Sequence, residues 1–403
     1  MDRADRTRIP RTVTVLGIVS LLTDASSEMI YPVLPLFLAN VLGAPVTAIG
    51  VIESIAEATA SLTKVFSGWL SDRLGRRKTI VAVGYTLSNV VKPLLAISAG
   101  WHSVLLLRFA DRLGKGIRTA PRDALIADSG TAATRGRDFG VHRALDTLGA
   151  AIGPLTAWAV LTLVPSGYRT IFLISAVPGV AAVLVAIFAV REPRRADAGR
   201  AAARPALRLR HLGRPFAVFT AASAVFALGN SSDAMLVLRA QDVGTKAALI
   251  PLMYFVFNVV GSLLSAPLGS LSDRLGRRRV IAVGYAGYAL VYLGFAYAGG
   301  PVAAWLLFAA YGVPYALTEG MTRAFVVDLV GADCRATAVG GYTFVLGLAA
   351  LPSSAAAGVL WDRVGHGAPF LLSAGLMALA AVGVALAPSL RRPLPEASGQ
   401  ECP

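Results

Sequence analysis

The sequence predicts an all-α polytopic membrane protein, with twelve transmembrane helices arranged as two pseudo-symmetric six-helix bundles. Three observations carry this prediction. Apolar runs of roughly 18–25 residues recur along the whole chain, each long enough to cross about 30 Å of hydrocarbon as a helix. Across 403 residues, 55% are hydrophobic and 15% charged, and the mean hydropathy of +0.64 is too high for a soluble globular domain. The two halves also repeat each other at an offset of about 200 residues.

In order, the spans fall near 12–40, 45–70, 79–99, 103–127, 138–164, 169–190, 215–240, 247–271, 280–299, 302–328, 337–360 and 368–389. The opening "MDRADRTRIPRT" lacks the short apolar core and cleavage site of a signal peptide, so span one is expected to be retained. Residues 1–190 form the first expected bundle and 215–390 the second. Between them, 191–214 reads as a cytosolic linker with eight arginines against two acids, and 391–403 reads as a cytoplasmic tail.

The net charge of +15 does not point to nucleic acid, because the arginines flank apolar runs instead of forming an amphipathic face. Twelve spans place the N-terminus, the 71–78 loop, the linker, the 272–279 loop and Arg391–Arg392 on one face. The positive-inside rule makes that face the cytoplasm, here of a bacterial-type inner membrane. Both cysteines, Cys334 and Cys402, fall on this side, so neither a disulfide nor a metal cluster is expected.

The repeat is visible by eye. "GWLSDRLGRRKTIVAVGY" at 68–85 returns as "GSLSDRLGRRRVIAVGY" at 269–285, "SSEM" at 26–29 returns as "SSDAM" at 231–235, and "ALIAD" ending at Asp128 returns as "AFVVD" ending at Asp328. Two homologous halves related by a pseudo-two-fold axis are a transporter architecture, with the solute site expected near the membrane midplane.

Residues 108–128, "RFADRLGKGIRTAPRDALIAD", pose the hardest placement. If they formed a loop, the parity of the spans would invert and the arginine-rich linker would lie outside, against positive-inside at its strongest point. They therefore read as a helix. At 100° per residue, Arg108, Asp111, Arg112, Lys115, Arg118 and Arg122 share one stripe, rising roughly 21 Å from end to end. A charge at the bilayer centre costs about 2.5–3.5 kcal/mol, so such a stripe must line a wet cavity or be paired internally.

The duplicated "SDRLGRR" loops resemble the hallmark between helices two and three of the major facilitator superfamily, and the resemblance extends over nearly the whole chain. It implies secondary active transport by alternating access. Gly68 and Gly269 are then expected to permit close helix packing, and Asp72, Arg73, Gly75, Arg76, Asp273, Arg274, Gly276 and Arg277 to control the cytoplasmic gate. The superfamily's fourth helix often reads R-F-L-Q-G-L-G-A-G, which "RFADRLGKG" resembles, with Arg112 and Lys115 as added positive charge. "GAAIGPLTA" at 149–157 is similar to the antiporter motif but departs at Ala157 and Trp158; its glycines are equally consistent with ordinary helix packing. The resemblance also implies that every third helix is peripheral, which matches spans six, nine and twelve without core charges and span three with only Lys92.

Span by span, the remaining charges give the candidate site. Asp24 and Glu28 sit one turn apart in span one, Glu53 and Glu57 share a face of span two, Asp146 lies in span five and Asp233 in span seven. These six are the candidate proton carriers, because a carboxyl in a low-dielectric cavity can load and release a proton as access alternates. For Glu53, Glu57 and Asp111 a structural ion pair fits equally well. Candidate solute-binding residues are Arg108, Asp111, Arg112, Lys115, His142, Tyr311, Tyr315 and Glu319; packing with a single hydrogen bond is the competing role for His142 and the tyrosines.

The expected function is proton-coupled transport of a small polar anionic solute, with export favoured. A broad-specificity drug–proton antiporter is the alternative, and a receptor or a lipid-acting enzyme is the alternative of another class. The sequence shows no ATP-binding loop, metal cluster or nucleophile triad, so no enzyme activity and no cofactor beyond the proton gradient are expected. The expected partners are membrane lipid and the solute, with no nucleic acid, and the chain is expected to act as a monomer.

Overall fold

A computed structural model describes residues 9–131, 134–192, 212–331 and 334–390; the rest of the linker and both termini lie outside the described residues. The order is α1 (Arg11–Ile30), α2 (Leu34–Asn40), α3 (Val46–Leu74), α4 (Arg77–Leu94), α5 (Trp101–Ser129), α6 (Arg135–Leu163), α7 (Tyr168–Ile174) and α8 (Ala176–Phe188). It continues with α9 (Gly213–Gly229), α10 (Asp233–Asp242), α11 (Ile250–Leu275), α12 (Arg277–Ala296), α13 (Pro301–Thr318), α14 (Met321–Asp328), α15 (Arg335–Arg363) and α16 (Ala368–Leu386).

These helices make the twelve expected spans. Spans one, six, seven and ten are each broken into two helices. Among the described residues, eleven segments are both long and apolar enough to cross a membrane. The remaining span is α5, an uninterrupted helix of 29 residues whose charges lower its apolarity, so the 108–128 stretch is helical as expected.

Two boundaries differ from expectation. The basic loops at 71–78 and 272–279 are much shorter, because α3 runs on to Leu74 and α11 to Leu275. The turns that remain need left-handed backbone, supplied by Gly75 at φ +64 and Gly276 at φ +90. A third correction concerns the cysteines: Cys334 is disulfide-bonded, and the chain's other cysteine, Cys402, lies outside the described residues. Two cysteines far apart in sequence form no motif from which pairing could be read.

The chain divides into two compact units. The first takes the described residues within Met1–Gly43, Thr59–Arg204 and Ala247–Phe255; the second takes those within Ala44–Ala58, Pro205–Lys246 and Val256–Pro403. The N-terminal part of α3 thus belongs to the second unit and the start of α11 to the first.

In the first unit, glycines set the helix crossings. A Cβ on Gly149 would meet the Leu21 carbonyl oxygen at 2.3 Å, and one on Gly153 would meet the Ala25 carbonyl oxygen at 2.8 Å, so α6 lies directly on α1. Gly84 and Gly114 bring α4 and α5 together backbone to backbone, at 2.7–2.8 Å by the same measure. Beneath this crossing, Val13, Leu16, Val19, Val81, Tyr85, Leu125 and Ile126 form a closed apolar core.

In the second unit the N-terminal part of α3 is knitted to α15. Asp362 accepts hydrogen bonds from the Thr47 amide (2.8 Å) and hydroxyl (2.7 Å), and a Cβ on Gly358 would meet the Val46 carbonyl oxygen at 2.6 Å. Aromatic rings fill the interior, with Phe226 stacked on Tyr285 at 4.0 Å and Phe295 edge-on to Phe308 at 5.6 Å.

Candidate functional site

The first unit holds a narrow cavity lined from three elements. The end of α1 and the break after it supply Ser27, Glu28, Ile30 and Tyr31; α4 supplies Ser88, Val91 and Lys92, with Leu95 just beyond; α5 supplies Leu107, Arg108, Asp111, Arg112, Lys115 and Arg118. The α5 stripe therefore faces the interior of its own unit, as the cost of charge in lipid requires.

Local packing aims these side chains. Gly114 meets α4, and Gly116 meets α3, where a Cβ would lie 2.9 Å from the Ala60 carbonyl oxygen. Lys115, flanked by these two close approaches, lines the cavity. Ser88 Oγ donates to Asp111 Oδ1 at 2.6 Å, and Arg108 Nη1 lies 3.4 Å from Asp111 Oδ2. The guanidinium carbons of Arg108 and Arg112 sit 5.6 and 5.7 Å from the Tyr31 ring centroid, a cation–π arrangement on one shared ring. Arg118 stacks closer, 4.3 Å from the Tyr85 ring centroid. Arg108, Arg112 and Arg118 are only 4–6% exposed.

Lys92 is the residue that sequence reasoning misplaced. Read as an isolated charge in a peripheral span, it is instead buried and lines the cavity; its Nζ donates to Asn89 Oδ1 (2.8 Å), Ser26 Oγ (3.3 Å) and the Thr23 carbonyl oxygen (3.5 Å). A lysine in the middle of an apolar span was the available signal, since lipid does not hold an ammonium.

A second polar cluster joins α1 to α6. Asp24 lies on α1 and Asp146 on α6. Asp146 accepts from Ser20 Oγ at 2.6 Å and from Arg143 Nη1 at 3.1 Å, while Arg122 Nη1 donates to Ser20 Oγ at 3.3 Å. His142 is buried one turn before Asp146 but is not among the cavity-lining residues.

Other expected site residues lie elsewhere. Glu53 and Glu57 fall in the part of α3 that belongs to the second unit, where Ser232 Oγ donates to the buried Glu53 Oε2 at 3.4 Å. Asp233 accepts from the Tyr311 hydroxyl at 2.8 Å; Tyr311 packs on Phe257 at 4.9 Å, and Tyr315 packs edge-on to Phe257 at 5.3 Å. Glu319 is exposed at the break between α13 and α14, 3.5 Å from Arg323. None of these residues lines the cavity of the first unit.

At the two basic turns, Arg77 pairs with Asp128, and at the repeat-related position Arg277 pairs with Asp328 and lies 3.4 Å from Asp273. Each tie joins two consecutive spans, α4 to α5 and α12 to α14. Arg73 lies 5.6 Å over the Trp69 ring, while Arg76 and Arg274 are exposed. Gly68 approaches Ala120, as close packing requires, whereas nothing lies within 4 Å of a Cβ built on Gly269, which corrects the expectation of close packing there. The Asp72 side chain lies outside the described residues.

With the fold and site in place, the comparisons agree on a class. The sequence profile of the Major Facilitator Superfamily matches residues 16–354. An uncharacterised MFS-type transporter of Methanocaldococcus jannaschii is 38% identical over 359 residues, covering 88% of this chain and 89% of that protein. The chain therefore belongs to the Major Facilitator Superfamily and is a multi-pass membrane transporter, not an enzyme.

More distant relatives differ in their solutes. A cis,cis-muconate transport protein of Acinetobacter baylyi is 25% identical over 325 residues, covering 76% of this chain and 77% of its own. The multidrug resistance protein MdtG of Enterobacter lignolyticus is 26% identical over 170 residues, covering 41% and 40%. The crystal structure of a nucleoside transporter superposes with a TM-score of 0.77 at 16% identity, covering 93% of this chain and 99% of that one, a likeness of fold alone.

Proposed function

We propose that this protein is a proton-coupled transporter of a small polar anion, working by alternating access. The observation that carries the reading is the lining of one membrane-buried cavity by five cationic side chains, Lys92, Arg108, Arg112, Lys115 and Arg118, against two acidic ones, Glu28 and Asp111. Guanidinium forks recognise carboxylate or phosphate by paired N–H donors, and burial strengthens each such bond. The muconate relative, whose named solute is a carboxylate anion, supports the same class.

Protons are assigned to Glu28 in the cavity and to the Asp24–Asp146 pair beside it. Asp24 and Asp146 stand on α1 and α6, the helices that Gly149 and Gly153 bring into backbone contact, and two acids on touching helices are a place to hold a proton and hand it on. The proposed direction is export, on the strength of the 149–157 stretch. Its glycines press α6 onto the α1 backbone that bears both Asp24 and Glu28, so movement of one helix on the other bears on the proton sites. The proposed setting is a cytoplasmic membrane, with a monomer whose termini both lie inside.

The test is the pH change inside proteoliposomes during a screen of anions and cationic drugs, comparing wild type with Glu28→Gln and Arg112→Ala. Anion-driven proton movement that Arg112→Ala abolishes supports the reading. Normal anion flux in Arg112→Ala sinks the anion assignment, and intact coupling in Glu28→Gln removes that carrier. Proton movement driven by cationic drugs alone favours the MdtG-like alternative, with the α5 charges as structural pairs.

A further inference from the structure

Resting on the anion reading, we propose that the cavity is built for a solute with two separated anionic groups, the second of which is received by Arg118. The cations on α5 are not one cluster. Arg108 and Arg112 converge on the Tyr31 ring at the end of α1, whereas Arg118 stands against the Tyr85 ring of α4. From Arg112 to Arg118 the helix rises about 9 Å, and Lys115 lines the wall between them. This spacing suits the two ends of a short linear dicarboxylate better than one compact anion.

Arg118 has donors left over to offer a ligand. It is 4% exposed, and its Nε and Nη1 have no hydrogen-bond partner among the described residues; its guanidinium lies over a ring face, which attracts the charge but accepts no directed N–H bond at the edge of the guanidinium. Buried guanidinium N–H groups left unsatisfied are costly, and a carboxylate supplies the two oxygens that match them. Arg108 differs, because Asp111 already lies beside it. The excess of cations over acids in the lining points the same way, since one carboxylate leaves more uncompensated charge in the site than two do.

The experiment measures binding to the full-length protein in proteoliposomes. The probes are an α,ω-dicarboxylate series of four to seven carbons, each matched to the monocarboxylate of equal length, with inorganic phosphate as a compact polyanion. Wild type is expected to prefer the best dicarboxylate over its monocarboxylate by about tenfold or more. Arg118→Gln is expected to lower dicarboxylate affinity about tenfold more than monocarboxylate affinity, with Arg118→Lys intermediate, while a thermal unfolding profile like that of wild type shows that the variants are folded.

Equal loss for both classes in Arg118→Gln, no preference in wild type, or phosphate outcompeting every dicarboxylate would each overturn the two-ended site and leave the anion reading standing. If no carboxylate and no phosphate binds wild type, the anion reading itself fails, and this inference fails with it. If Arg118→Gln proves unfolded, the wild-type chain-length profile decides: a peak at one length supports the proposal, and a flat profile refutes it.

Discussion

The two units use one scaffold for opposite chemistries. Positions that face the interior of the first unit from α4 and α5 are Ser88, Lys92, Asp111 and Lys115; at the same places in the repeat stand Tyr288, Tyr292, Tyr311 and Tyr315. Where Asp111 takes a hydroxyl from Ser88, Tyr311 gives one to Asp233 and packs edge-on to Tyr288 at 5.3 Å. Tyr85, which bears the Arg118 guanidinium, has Tyr285 as its counterpart, and Tyr285 lies within hydrogen-bond distance of the Ser223 hydroxyl at 3.1 Å. At these positions the cations therefore stand in one unit. The other offers rings and hydroxyls, which hold an apolar or hydrogen-bonding surface without adding net charge. Duplication preserves the helix crossings and leaves the facing side chains to diverge.

The widest break in this comparison is expected from Arg112→Ala. Removing one of the two guanidinium groups on Tyr31 should lower anion uptake by about 100-fold in proteoliposomes, since a buried charge-assisted pair with the solute is lost. Retained uptake would remove the charge distinction between the units. Next in size, Asp146→Asn should uncouple transport: the pH-dye signal disappears while anion exchange, measured with radiolabel, keeps roughly its wild-type rate within a few-fold. A packing test follows. Gly114→Ala places a Cβ 2.7 Å from the Gly84 carbonyl oxygen and should destabilise the protein by about 1–3 kcal/mol, visible as a lowered melting temperature. Gly269→Ala, with nothing within 4 Å, should leave that temperature unchanged. The smallest effect is expected at Tyr311→Phe, which removes one hydroxyl from Asp233. Solute affinity should shift by no more than about tenfold, through a hydrogen bond worth roughly 1 kcal/mol.

The sequence made the spans legible because two independent constraints agreed. Loop parity and the internal repeat both demanded a helix at 108–128, and α5 is one. The stripe on α5 was equally legible, since period alone sets which residues share a helix face. Helix partners were less so. Glu53 and Glu57 read as cavity acids from their shared face, yet which unit claims that stretch depends on the contact of Thr47 with Asp362, far along the chain. Lys92 was discounted by the rule that every third span is peripheral, a rule about whole helices that says nothing of one long side chain reaching inward.

Lys115 has Gly114 on one side and Gly116 on the other, each pressed against a neighbouring backbone. For anyone altering this protein's selectivity, that threading sets the tolerances. Bulk added on either flank would misaim the ammonium before it unfolded anything, so the wall formed by α5 is a poor place to tinker. Tyr31, standing at a break in its helix, is the adjustable part.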